Sequence, residues 1–202
     1  SLLKQMVLTE LFSQFLESKE IDFIENHMDI ITQYIQEPFL IEPLLKQYHQ
    51  LIDWNSNPQI ASDAILKKLE NSSVKQIMDS IKISNKGKVK YVDCWASWCG
   101  PCRAEFPNSK ILMDEMEGKE IAFVFLCIDS QEKAWKATLA EYQLGGQHFF
   151  LSQEQSSDLR KSFGIEGIPY YMLMDQNGTI IEKGSYLSPK VVKEKFMKLL
   201  KE

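Results

Sequence analysis

A chain of 202 residues, of which 44% are hydrophobic and 25% charged, is long enough for one ordinary globular domain with an appendage. Its net charge of −5 excludes a protein that binds nucleic acid through clustered lysine and arginine. The longest uninterrupted apolar run, residues 121–128, is far too short to cross a bilayer, so the chain as given is not expected to span a membrane.

The front of the chain differs in composition from the rest. All nine glycines lie from Gly87 onward and all four cysteines from Cys94 onward, so the front lacks the residue that most often marks turns in an α/β domain. Residues 1–75 contain six basic and eleven acidic side chains, whereas residues 76–202 contain seventeen of each. We therefore predict an acidic, all-α module over residues 1–75 and a separate α/β domain over residues 76–202.

Three amphipathic patterns predict helices in the front module, with a short fourth helix over residues 61–69. Their apolar stripes are, in chain order, Leu3, Val7, Leu11 and Phe15; Ile24, Met28, Ile31 and Tyr34; and Leu40 or Ile41, Leu44, Tyr48 and Leu51. Such stripes are typical either of a dimer or partner surface or of a small bundle packed on itself and on the second domain. We favour the bundle, because helices of this length need burial to be stable.

Strands and helices alternate in the rear domain. Helices are predicted over residues 73–81, 99–116, 131–142 and 156–163 and from Pro189 onward, and strands over residues 89–95, 121–128, 148–151, 170–175 and 179–183. Asn177-Gly178 joins the last two strands, because these residues adopt the positive φ angles of a tight turn. The pattern predicts an α/β fold with a central mixed sheet covered by helices on both faces.

The sequence Trp98-Cys99-Gly100-Pro101-Cys102 lies where a predicted strand is followed by a helix. Pro101 suits the first turn of that helix, which places Cys99 at its N-terminus. The unpaired N–H groups and the positive dipole end there favour a thiolate over a thiol. We therefore predict that Cys99 is the nucleophile and that Cys102, one turn further on, resolves the mixed disulfide.

Two other uses of this cysteine pair are a zinc site and a structural disulfide. A four-ligand zinc site needs a second pair or a nearby Cys/His cluster, and the remaining cysteines and histidines are scattered. A bridge over so short a loop removes little entropy from the unfolded chain. Redox chemistry is therefore favoured, with no metal site. The isolated Gly145-Gly146 is no dinucleotide fingerprint, so no cofactor is assigned and electrons are expected from a separate donor protein.

The run from Val92 to Cys102, followed by Phe-Gly-Ile-Glu-Gly-Ile-Pro at residues 163–169, resembles the thioredoxin superfamily. The continuation Arg103-Ala104-Glu105-Phe106-Pro107 and the insertion over residues 130–151 are more similar to the TlpA/ResA-like thiol-disulfide oxidoreductases of bacterial cell envelopes. The resemblance covers residues 76–202 and implies a thioredoxin-like fold. One departure is the missing Pro-X-Phe-X-Leu hairpin upstream of Lys88.

The resemblance also implies two carboxylates at the site. Asp93 is a charged residue in an otherwise apolar strand and matches the aspartate that lies beneath the disulfide in thioredoxins, where it would serve Cys102 as a general base. A solvated aspartate at a strand edge is the alternative. Glu105 matches a carboxylate that TlpA/ResA-like proteins carry near the thiols, and a solvated helix face explains it nearly as well.

Three further residues are expected to bind substrate. The resemblance implies that Pro169 is a cis-proline facing Cys99, which leaves the backbone of Ile168 to pair with an extended substrate segment. Trp98 would flank the same groove as an apolar lid, with ordinary packing as the alternative. Cys94 and Cys127 are expected to be small buried hydrophobic residues that approach each other if their strands are adjacent.

The predicted activity is reduction of a disulfide-containing substrate protein by thiol exchange through Cys99 and Cys102. The Gly-Pro dipeptide is that of thioredoxin, which favours a reductase over an oxidase or isomerase. A peroxide reductase would carry a Thr-X-X-Cys pattern, which is missing. The alternative from another class is a non-enzymatic module that holds a soft ion such as Cu(I) on the two thiols.

The cellular location follows from the resemblance, which implies the bacterial periplasm or cell envelope. Four cysteines with one obvious pair suit the cytoplasm equally well. Residue 1 is serine and not an initiator methionine. We therefore expect that an N-terminal piece is missing, which would be the place of a signal peptide or lipid anchor.

Overall fold

The structure is a computed structural model that describes residues 1–200. Within these residues the chain forms eight α-helices and six β-strands: α1 (Leu2–Ser18), α2 (Ile21–Tyr34), α3 (Pro38–Ser56), β1 (Ala64–Lys67), α4 (Val74–Ser84), β2 (Val89–Trp95), α5 (Gly100–Glu115), β3 (Ile121–Cys127), α6 (Glu132–Tyr142), β4 (Gly146–Phe150), α7 (Gln153–Phe163), β5 (Tyr170–Met174), β6 (Ile180–Gly184) and α8 (Pro189–Leu199).

The chain divides into two compact units. The helical unit comprises Ser1–Ile60 together with Gln131–Gln143, and the sheet unit comprises Ala61–Ser130 together with the chain from Leu144 onward. Helix α6, which lies between β3 and β4 in sequence, therefore belongs with α1, α2 and α3. Position 75 as the limit of a separate domain stays a prediction.

The helical unit packs α1, α2, α3 and α6 around a small apolar core. Its buried members include Phe12, Leu16, Ile21, Ile24, Ile35, Leu44, Leu51 and Ala137. Helix α1 ends where Lys19 adopts a left-handed conformation, with φ at 57°, and the Lys19 ammonium pairs with Glu141 of α6 at 2.6 Å. Helix α3 begins with Pro38 in its first turn, where the missing N–H is tolerated.

The stripe predicted for α1 is wrong at Leu3, Val7 and Leu11, which are exposed, whereas its fourth residue, Phe15, packs against the core. Phe12 and Leu16 are the buried residues of this helix, whereas Leu3 and Val7 are 71% and 60% exposed. The apolar residues of α1 occur on more than one side of the helix, and spacing alone does not tell which side meets a neighbour. Helix α1 thus leaves a large part of its apolar surface exposed.

The helix predicted over residues 61–69 is also wrong. Ala64–Lys67 is strand β1, which pairs in parallel with β4. A run this short cannot be assigned to helix or strand by periodicity, and an isolated helix of nine residues would be marginal in water. Pairing with β4 supplies hydrogen bonds that so short a helix could not.

The sheet unit contains one six-stranded sheet in the order β1-β4-β3-β2-β5-β6. Strands β1, β4, β3 and β2 are mutually parallel, β5 pairs antiparallel with β2, and β6 pairs antiparallel with β5. The two central strands, β2 and β3, are buried along their whole length, as expected for parallel strands covered on both faces. The predicted mixed sheet and thioredoxin-like fold are confirmed.

The two faces of the sheet pack against different helices. On the first face, Trp95 contacts Phe106 of α5, and Tyr91 contacts Phe196 of α8. On the second face, a cluster that includes Val92 and Val124 packs with residues of α4 and α7. Since side chains alternate along a strand, Tyr91, Asp93 and Trp95 all point to the face covered by α5 and α8. No helix within residues 1–200 is long and apolar enough to cross a membrane.

Candidate active site

The site is built where β2 ends and α5 begins. The N–H of Cys99 donates to the carbonyl of Ala96 at 3.0 Å, and Cys99 then occupies the N-cap position of α5. Its sulfur accepts a hydrogen bond from the N–H of Cys102 at 3.2 Å and is joined to the sulfur of Cys102 in a disulfide. Both cysteines are buried, at 3% and 1% exposure. This position exposes Cys99 to the positive end of the α5 dipole.

Trp98 and Ile168 lie beside Cys99. The carbonyl oxygen of Ile168 is 3.8 Å from the Cys99 sulfur, and the Ile168–Pro169 peptide bond is cis. Trp98, which precedes Cys99, is 45% exposed. The structure therefore brings together all three residues predicted to bind substrate next to Cys99, and their roles stay predictions.

Asp93 is buried beneath helix α5. It lies in the middle of β2, is 1% exposed, and its Oδ1 atom has no hydrogen-bond partner. Burial raises the pKa of this carboxyl well above its ordinary value, and the negative charge of Glu105 raises the pKa further. The alternative of a solvated aspartate at a strand edge is therefore wrong. A carboxylate whose pKa is raised is a stronger base than usual, so it can accept a proton from a nearby group.

Glu105 lies one turn beyond Cys102 on α5, and its side chain is partly exposed. One carboxylate oxygen accepts a hydrogen bond from the Asn108 amide at 3.0 Å, and the other lies 3.9 Å from the Lys190 ammonium. Glu105 acts on Asp93 through its charge. The structure thus places both predicted carboxylates on the same side of the sheet as the disulfide.

Two tyrosines complete the polar surroundings of Asp93. Tyr171 of β5 is directly opposite Asp93 in the antiparallel pair, and its ring stacks on Tyr91 with centroids 5.5 Å apart. The Tyr91 hydroxyl donates to the carbonyl of Leu187 at 2.6 Å, whereas the buried Tyr171 hydroxyl has no partner. Burial raises the pKa of both phenols, which stay protonated. Tyr171 was not among the residues predicted from the sequence, although it stands two residues after Pro169.

The other two cysteines are buried and free. Strands β2 and β3 are adjacent, but Cys94 is opposite Leu126 and Cys127 is opposite Trp95. This one-residue difference in register puts the two thiols on opposite faces of the sheet, so they do not approach each other. Burial raises the pKa of both thiols, that of Cys127 to about 12. Neither is a nucleophile at neutral pH.

The side chains that could hold a metal ion are dispersed. Among residues 1–200, no three His, Cys, Asp or Glu side chains come together in a group of the kind that binds a metal ion. His148 is buried, stacks on Phe125, and has its Nε2 atom 2.9 Å from the carbonyl of Gly145. Burial lowers the pKa of His148 to about 4, so His148 is a neutral core residue at neutral pH.

Two curated relatives each match about half of the chain. The thiol-disulfide oxidoreductase ResA of Bacillus thuringiensis subsp. konkukian is 26% identical over 98 residues, which are 48% of this chain and 55% of that protein. The thiol:disulfide interchange protein HelX of Rhodobacter capsulatus is 30% identical over 102 residues, 48% of this chain and 52% of that protein. The chain therefore spans about half the length of the curated relatives it matches.

A solved structure has the same fold. The thioredoxin domain of a thiol-disulfide oxidoreductase from Bacteroides vulgatus superimposes with a TM-score of 0.54 and 25% identity, over 58% of this chain and 83% of that domain. A Cys-X-X-Cys disulfide at the start of α5, on such a sheet, defines a thioredoxin-fold protein with a redox-active cysteine pair. The resemblance to the TlpA/ResA-like group is confirmed.

The family follows from the sequence profile of the Redoxin family, which matches residues 62–195. The chain belongs to this family. The matched region includes strand β1, the cysteine pair and all five other predicted site residues.

Proposed function

We propose that this protein is a thiol-disulfide oxidoreductase that reduces disulfides in a substrate protein, with Cys99 as the attacking thiol. The observation that carries the proposal is the cysteine pair at the N-terminus of α5, the helix that covers the face of the sheet to which the buried Asp93 points. The names of the relatives support the same chemistry. Because the chain covers about half of each, the substrate and partners are part of the proposal.

The first step starts from the reduced pair. The Cys99 thiolate attacks one sulfur of the substrate disulfide, a bond forms between these two sulfurs, and the substrate disulfide breaks. The other substrate sulfur leaves as a thiolate and takes up a proton from water. The α5 dipole and the N–H of Cys102 favour the thiolate form of Cys99 before it attacks.

The second step releases the substrate. The Cys102 thiol gives its proton to the Asp93 carboxylate, and its sulfur then attacks Cys99 to close the disulfide. The second substrate thiolate leaves and is protonated. Two electrons have passed from the protein to the substrate. We assign Glu105 an electrostatic role, since its charge keeps a proton on Asp93 more readily than burial alone would.

Substrate binding is assigned to Trp98, Ile168 and Pro169. The carbonyl of Ile168 beside the Cys99 sulfur can accept a hydrogen bond from the N–H of an extended substrate segment. The half-exposed ring of Trp98 supplies apolar contact at the same place. A separate electron-donor protein would reduce the Cys99–Cys102 disulfide for the next cycle, and we assign the protein to the bacterial cell envelope on its TlpA/ResA-like resemblance.

The test uses the full chain, reduced and freed of excess thiol, against a protein disulfide and a small aromatic disulfide. We expect reduction of both, with loss of activity in Cys99→Ser and accumulation of a covalent mixed disulfide in Cys102→Ser. Cys94→Ser is the matched control and should behave as wild type, since Cys94 is buried on the opposite face. The proposed role of Cys99 fails if Cys99→Ser traps the substrate and Cys102→Ser does not.

The rival functions give different results in the same assay. An oxidase would transfer its disulfide to reduced substrates faster than it reduces oxidised ones. A Cu(I) module would bind the ion on the reduced pair with high affinity and reduce neither disulfide.

A further inference from the structure

The loop between β3 and α6 holds the indole ring of Trp98. Its residue Asp129 has a left-handed backbone, with φ at 49°, a conformation that is uncommon for a residue with a side chain. The carbonyl of Asp129 accepts a hydrogen bond from the Trp98 indole N–H at 2.7 Å. The position of this one carbonyl therefore sets where the Trp98 ring lies.

Asp129 is in turn held by Arg160 of α7. The Asp129 carboxylate accepts hydrogen bonds from Nε of Arg160 at 2.8 Å and pairs with a terminal nitrogen at 2.7 Å. The Asp129 N–H donates to the hydroxyl of Ser156, one helical turn earlier on the same helix. Both side chains of the ion pair are about three-quarters buried or more, so the pair is little screened by solvent.

Arg160 has a second contact, with the segment that leads to Pro169. The other terminal nitrogen of Arg160 donates to the carbonyl of Ile165 at 3.2 Å. Ile165 is three residues before Ile168, whose own carbonyl lies beside the Cys99 sulfur. One guanidinium thus connects the two segments that flank Cys99, which are the Trp98 side and the residue 165–169 side.

We propose that the Arg160–Asp129 ion pair is a positioning device for substrate, which fixes the spacing between Trp98 and the residue 165–169 segment and so determines how tightly an extended polypeptide binds beside Cys99. The proposal rests on the proposed disulfide reduction and adds to it the two residues that order the binding surface. Neither touches the reacting sulfurs.

The geometry requires arginine at position 160. The guanidinium presents donors in a fixed planar fork, and here three nitrogens serve two acceptors that belong to different loops. A lysine ammonium carries the same charge on a single nitrogen, so it cannot reach both acceptors at once. The comparison of Arg160→Lys with wild type therefore tests the spacing while the net charge is kept.

The experiment measures KM and kcat for a disulfide-containing peptide and the rate with a small aromatic disulfide. For Arg160→Lys we expect KM for the peptide to rise about tenfold, as for the loss of one charge-assisted hydrogen bond. Since the small disulfide spans no extended surface, its rate should change much less. Asp129→Asn, which tolerates the left-handed backbone, should show the same split. Lys195→Gln removes a comparable ion pair with Glu182 and should leave both reactions unchanged.

A second measurement requires no turnover. Hydrogen exchange of the Trp98 indole N–H, followed by NMR, should accelerate in Arg160→Lys and not in Lys195→Gln. Equal KM values and equal exchange rates in the two variants would overturn the positioning role. If wild type reduces neither disulfide, the proposed function fails, and the indole measurement still decides whether Arg160 orders Trp98.

Discussion

Strand β2 of the sheet unit and helix α1 of the helical unit depart from the usual distribution of polar and apolar residues in opposite ways. Strand β2 buries charged residues, Asp93 and Lys90. Helix α1 leaves large apolar side chains such as Leu3 and Val7 exposed. A strand covered on both faces has no solvated side, so every residue in it is buried whatever its type. A helix that meets neighbours on one side keeps its other residues in water.

The buried charged residues of β2 and the exposed apolar residues of α1 differ in their effect on stability. This difference indicates which of the two regions carries the chemistry. Single exposed apolar side chains are normal on protein surfaces and cost little. A buried carboxyl without a hydrogen-bond partner is destabilising unless it stays protonated. Asp93, whose Oδ1 atom is buried without a hydrogen-bond partner, points to the face of the sheet covered by α5, the helix that begins at the cysteine pair. A buried charged residue that destabilises the fold is therefore a better guide to the site than exposed apolar surface.

The largest effect on stability should follow from creating a cavity in the core of the helical unit. Phe12→Ala removes a buried ring, and we expect the free energy of unfolding to fall by about 3–5 kcal/mol. Urea denaturation followed by circular dichroism measures this loss. Reduction of a small disulfide by Cys99 should persist in the folded variant, since the site residues belong to the sheet unit. A folded but inactive variant would show that the activity also depends on the helical unit, and it would contradict this expectation.

His148 should make the sheet unit less stable in acid. Its pKa is about 4 in the folded protein against 6.5 when unfolded, so the unfolded state binds the proton more readily between these values. The contribution of His148 to stability is fully present above the unfolded pKa and is lost as the pH drops from 6.5 to about 4, by on the order of 3 kcal/mol. The difference in pH dependence between His148→Gln and wild type measures this contribution, and the control His49→Gln should match wild type.

Asp93→Asn should slow closure of the Cys99–Cys102 disulfide by about a hundredfold while first attack by Cys99 continues, because a general base has been removed. Stopped-flow kinetics of the mixed disulfide separates the two steps. In wild type, closure should accelerate as the pH rises through the raised pKa of Asp93, and the variant should lack this rise. Equal closure rates across the pH range would leave Asp93 a structural role.

Stability gives an independent check on Asp93. The folded carboxyl keeps its proton above the unfolded pKa of 3.8, so the contribution of Asp93 to stability falls as the pH rises from 3.8 toward the raised pKa, by up to about 1.4 kcal/mol per pH unit. This slope opposes that of His148. Asp93→Asn should therefore be more stable than wild type above the raised pKa, and the gain should disappear toward pH 4.

The smallest effect is expected on the exposed face of α1. Val7→Gln replaces a side chain that is already in water, and the unfolding free energy should change by less than about 0.5 kcal/mol. The comparison with Phe12→Ala checks which side of α1 is the packed one. A loss for Val7→Gln as large as that for Phe12→Ala would restore the stripe predicted from the sequence.

Local signals made the fold and much of the site predictable. Alternating strands and helices, the Asn-Gly turn and the Cys-Gly-Pro-Cys sequence each act over a few residues. The failures involve partners distant in the chain. Strand β1 exists because β4 pairs with it, and Tyr171 belongs to the site because β5 lies beside β2. Arg160 is 31 residues from Asp129, and the only available signal was that two of the 23 basic residues are arginine.

The separation of Cys94 from Cys127 by the sheet limits the redox states that the folded chain can reach. Cys99 and Cys102 are the one pair joined, and each of the other thiols lies on its own side of a continuous layer of backbone. Oxidation of the reduced native protein should remove two electrons per chain, as the Cys99–Cys102 disulfide forms, and then stop. A Cys94–Cys127 disulfide would require the central strands to separate, so the folded protein can pass repeatedly through its oxidised form without joining these two thiols.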